Sequence, residues 1–65
     1  MNLIESLVAR TNKARELLEV YKSLGPQGFF GTKVIEEEIK KAETAMGSGD
    51  LDDMLRSYQS LGELK

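Results

Sequence analysis

Cysteine and histidine are both missing from this sequence. Without cysteine there is no disulfide, no thiolate nucleophile and no thiolate metal site. Without histidine the commonest transition-metal ligand is gone too, and with it the usual general base at neutral pH. Tryptophan is absent, proline occurs once, and phenylalanine and tyrosine occur twice each. Apolar residues come in short runs such as Leu3-Ile4, far below the ~20 residues of a membrane-spanning helix. The N-terminus has no basic stretch followed by an apolar one, so no secretory signal is expected. Neither sign of charge dominates: nine basic residues face eleven acidic ones, a net charge of −2. That balance gives no general attraction to nucleic acid or to an anionic membrane. Together these absences predict a soluble, cytoplasmic protein with no metal, no cofactor and no enzymatic activity. The serines lack a base, and the carboxylates lie in solvated runs rather than in surroundings that suit a carboxyl group to proton transfer.

A chain of 65 residues allows one domain, and a small one. Domains of that length bury only ~60% of their unfolded surface. They usually add a disulfide, a metal or self-association to a modest core. The composition removes the first two, so a homo-oligomer is expected, with a dimer favoured.

What is present reads as helix. Asn2 is a good N-cap with Glu5 three residues on. From there Leu3, Ile4, Leu7, Val8, Ala14, Leu17, Leu18, Tyr21 and Leu24 recur at helical spacing. Gly25 stands where a left-handed C-cap belongs, and Pro26 stops the helix, which is expected over 2–24. Its middle turn is weak on the buried side, where Thr11 and Ala14 replace large hydrophobes. That waist allows close helix approach or receives a partner. A second helix is expected over 32–46, capped by Thr32, with Val34, Ile35, Ile39, Ala42 and Met46 on its apolar face. Glu36, Glu37 and Glu38 suit the start of a helix. Lys40 and Lys41 follow four residues after Glu36 and Glu37, in the favourable order for ion pairs. Successive carboxylates on a helix diverge by ~100°, so they do not converge on one cation. "GSGD" then breaks the chain, and Asp50 caps a third helix over 50–61 that carries Leu51, Met54, Leu55, Tyr58 and Leu61. No stretch alternates with period two, so no strand is expected. The fold class is all-α: a small three-helix domain with a long first helix and two shorter ones. If the last two helices form a hairpin on one half of the first, part of its apolar stripe stays uncovered.

Between the first two helices lies "GPQGFFGTK", Gly25 to Lys33, with the only two phenylalanines of the chain. It is not a phosphate-binding loop. That motif ends in Gly-Lys-Ser/Thr after a buried strand, whereas here the order is Gly31-Thr32-Lys33 after a helix. With Gly31 as N-cap, Phe30 would sit one residue before it and staple onto Ile35. Phe29 would then plug the end of the bundle or meet a partner. Phe30 is expected to be the more structural ring and Phe29 the better contact.

The stretch from Gly49 to Leu64 resembles the second helix of a tetratricopeptide repeat with its preceding turn. The shared features are the Gly-Asp start, the acidic pair Asp52-Asp53, and Tyr58-Gln59 near mid-helix. It departs from that family at Met54 and Leu61, where small alanines belong, and no second copy of the repeat exists. Such repeats need stacked neighbours, so the stretch reads as a common amphipathic-helix pattern. As a DNA-recognition helix it is poor, since Asp52 and Asp53 repel phosphate and only Arg56 attracts it.

The function expected is a small non-catalytic helical module that binds a protein partner. Compact cysteine-free helical chains are frequent among phage and mobile-element accessory genes, an association of size and style. Interface candidates are Phe29 and Phe30 in the loop, Thr11 and Ala14 at the waist, and Leu7, Leu18 and Tyr21 on the stripe. The alternative is a nucleic-acid-binding helical dimer using Arg10, Lys13 and Arg15, a modest basic patch otherwise expected to pair with Glu16 and Glu19.

Overall fold

Asn2 opens the first helix as its side chain predicts: Oδ1 accepts a hydrogen bond of 2.8 Å from the Glu5 amide. The computed structural model describes residues 2–64. Helix α1 spans Leu3–Ser23 and ends at Leu24, after which Gly25 takes the left-handed conformation at φ 67°. A single 3-10 turn, Gly25–Gly28, leads straight into α2, Phe29–Ser48. Gly49, at φ 73°, closes α2. Asp50 caps α3, Leu51–Gly62, by accepting from the Asp53 amide at 3.2 Å. The architecture is all-α with three helices and, among the described residues, no strand. No helix among them is long and apolar enough to cross a membrane.

The core is one cluster drawn from all three helices: Leu7 and Ala14; Ile35, Ile39, Ala42 and Ala45; Met54 and Leu61. Thr11 and Ser57 are buried among them. The Thr11 hydroxyl donates 2.8 Å to the Leu7 carbonyl one turn back, so its polar atom is satisfied within α1. A core this rich in alanine, serine and threonine lets helices approach closely. An Arg15–Glu43 ion pair at 2.7 Å ties α1 to α2 on the surface. On α2 the ion pair formed is Lys41–Glu38 at 3.9 Å, one turn apart, rather than the i,i+4 pairs expected from Glu36 and Glu37.

Three corrections follow. The second helix begins at Phe29 rather than Thr32, so the phenylalanines lie in its first turn and not in a loop. It also runs through Gly47 to Ser48, because Gly49 and not Gly47 adopts the terminating conformation. Finally, the expected apolar stripes are broader than the core: Ile4, Val8, Leu24, Val34, Leu51 and Leu55 are exposed.

Helix α3 is the short element. At ~1.5 Å per residue its 12 residues reach about 18 Å, against about 31 Å for the 21 residues of α1. Its end lies level with the middle of α1, where Arg10 Nη1 donates 2.6 Å to the Tyr58 carbonyl. Leu64 turns back onto the core beyond it. The last turns of α1 and the first turns of α2 therefore project past α3 as a two-helix hairpin. The molecule measures 35 × 19 × 17 Å.

Candidate interaction surface

Tyr21 organises the projecting end. Gly28 packs against its backbone carbonyl and Gly31 against its ring, so closely that a methyl group at either position would overlap tyrosine atoms. Gly28, Gly31 and Ile35 are spaced three and four residues apart, which places them on one side of α2, facing α1. That phase fixes the neighbours. Phe29 and Phe30 stand ~100° and ~200° around the helix from Gly28 and point away from the core. They are 64% and 80% exposed.

The expected staple between Phe30 and Ile35 is therefore not formed: Ile35 is buried and Phe30 is the most exposed of the large apolar residues. The staple needs Gly31 as N-cap. Helical backbone starts three residues earlier, with Gly28 as the cap, and that shift rotates Phe30 outward. Phe29 does not plug the bundle either; it is exposed, and Lys33 Nζ lies 5.6 Å from its ring centroid.

The rings have apolar company. Val34 follows Phe30 by four residues on the same side of α2 and is partly exposed. Val20 on α1 and the C-cap residue Leu24 form a second i,i+4 pair, 55% and 51% exposed. Leu17 and Val20 also line a groove with Leu61 and Leu64, so the α1 side of this surface runs down to the end of α3. An aromatic side chain carries about 150–250 Å². The two phenylalanines alone thus leave roughly 300 Å² in water, as much as the largest apolar patch of many monomers.

The other candidates separate by depth. Leu7, Thr11 and Ala14 are 0%, 3% and 4% exposed and belong to the internal packing, so the folded chain does not present them to a partner. The waist is a place of close approach within one chain. Leu18 and Tyr21 are half-buried against the core. Val20 lay outside the expected stripe. Its sequence signal is the spacing of three residues from Leu17 and four to Leu24.

The basic residues of α1 do not pair with Glu16 or Glu19 as expected. The Arg10 guanidinium lies 3.6 Å from the Tyr58 ring centroid, donates to the Tyr58 carbonyl, and rests against Gly62. It closes the C-terminal end of α3, where a cation meets the negative pole of the helix. Arg15 holds Glu43, and Lys13 is exposed. Between α2 and α3 runs an open groove of mixed charge, with Lys41, Asp53 and Arg56 on its walls. Among the described residues no three acidic side chains gather as a metal site requires. Compared with protein-family models, with curated proteins and with solved structures, the chain matches none.

Proposed function

We propose that this chain is a small, non-catalytic helical module that acts by binding another protein through the projecting α1–α2 end. The exposure of Phe29 and Phe30 carries the reading. Both rings lie on a helix whose inward side is taken by glycines, so their outward direction follows from how α2 packs and not from a loose loop. Leaving apolar surface in water costs about 25 cal/mol per Å², which association recovers. Aromatic side chains at such a place are the usual anchors of protein interfaces. Lys33, whose Nζ lies 5.6 Å from the Phe29 ring centroid, is a charged neighbour of the kind found at the rim of such anchors.

The test is site-specific photo-crosslinking in extract of the native source. A photoreactive phenylalanine analogue is placed at position 29, at position 30, or at Leu51, an exposed apolar residue on α3. Covalent adducts concentrated at positions 29 and 30 support the reading. Adducts from Leu51 with none from the two phenylalanine positions contradict it.

A further inference from the structure

We infer that the occupant of the projecting end is a second copy of this chain, joined about a two-fold axis so that the two α1–α2 hairpins form an intermolecular four-helix arrangement. The inference rests on the proposed function and names the partner. Area is the first reason. A monomer of 7.3 kDa is expected to expose about 4,200 Å², whereas this chain exposes 4676 Å². The difference is about 500 Å², and on the end that α3 leaves open Phe29, Phe30, Val34, Val20 and Leu24 are exposed. Covering that much on each of two copies buries about 1,000 Å² in total, the lower bound for a specific interface.

Shape is the second reason. The hairpin carries two apolar pairs, each one helical turn long: Phe30 with Val34 on α2 and Val20 with the C-cap residue Leu24 at the end of α1. One is led by a large ring and the other is made of smaller side chains. A two-fold operation lays the α2 pair of each copy on the α1 pair of the other, large against small, which is the self-complementarity an isologous interface requires. Charge does not oppose it, because each copy carries only −2. Helical pairing also supplies what α3 omits, an apolar helix face over the last turns of α1.

Sedimentation of the purified chain tests this, with Phe30→Glu and Leu55→Glu as variants and far-ultraviolet circular dichroism to check folding. The wild-type chain is expected at twice 7.3 kDa. Phe30→Glu should raise the dissociation constant about tenfold or more with unchanged helical signal, as loss of an interface anchor does. Leu55→Glu, on the far part of α3, should leave the dimer intact. A wild-type chain that stays at 7.3 kDa up to hundreds of micromolar, on the order of the weakest specific pairs, overturns the inference. Crosslinks from positions 29 and 30 to other proteins would then still uphold the interaction reading. A dimer dissociated by Leu55→Glu and not by Phe30→Glu overturns it as well.

Discussion

Single glycines settle where the aromatic residues go. Gly28 and Gly31 lie so close to Tyr21 that only hydrogen fits, and the same phase sends Phe29 and Phe30 outward. A β-carbon at position 28 meets backbone, which yields less readily than a side chain. Gly28→Ala should therefore cost about 1–3 kcal/mol, the range for overpacking, in urea unfolding. Gly31→Ala meets side-chain atoms, those of the Tyr21 ring, rather than backbone, and should cost less. Nearer the middle of α1, Arg10→Ala removes a hydrogen bond and a cation–π contact from the end of α3. The expected loss is about 1–2 kcal/mol, with faster amide hydrogen exchange confined to the last turn of α3. Unchanged exchange there would show that Arg10 does not hold that end. None of these contacts was legible in the sequence. Arg10 finds its partner 48 residues away, whereas charge spacing along one helix points only to neighbours such as Glu16.

Elements were legible where a side chain marks their ends. Asn2 and Asp50 each accept a hydrogen bond from an amide three residues on, and Gly25 turns left-handed, all as their residue types imply. The start of α2 carries no such mark. Gly28 has no capping side chain, and each glycine in a helix costs about 1 kcal/mol, so local preference reads Gly25 to Gly31 as loop. Packing against Tyr21 outweighs that preference. Gly47 and Gly49 present the same ambiguity, and only one of them turns left-handed. The waist of α1 is open to a direct test. Thr11 is 3% exposed and its hydroxyl bonds within its own helix. Thr11→Val keeps the shape but loses the hydroxyl's hydrogen bond and should cost about 0.5–1.5 kcal/mol, whereas Thr11→Leu overfills the site as well and should cost about 1–3 kcal/mol. Equal and negligible effects in thermal melts would place the waist in solvent.

The unequal lengths of the three helices give the whole molecule its open end. Helix count and class follow from spacing and caps alone. The open end arises differently from the expected one: α2, at 20 residues, is nearly as long as α1, and only α3 is short. Which residues occupy the uncovered end does not follow, because it depends on the rotational phase of α2, set by the Tyr21 contact. If two copies meet there, the melting temperature should rise with protein concentration, as it does for any folded state stabilised by association. The most direct measurement is urea unfolding of the double variant Phe29→Ala/Phe30→Ala, followed by far-ultraviolet circular dichroism at chain concentrations low enough to keep the protein monomeric. Two outward rings contribute little to the folded monomer, so its stability should fall within about 1 kcal/mol of the wild type, as for surface substitutions. A loss of about 3–5 kcal/mol per ring, the range for phenylalanine removed from a core, would mean that the rings hold the fold together and that the open end is not a binding surface.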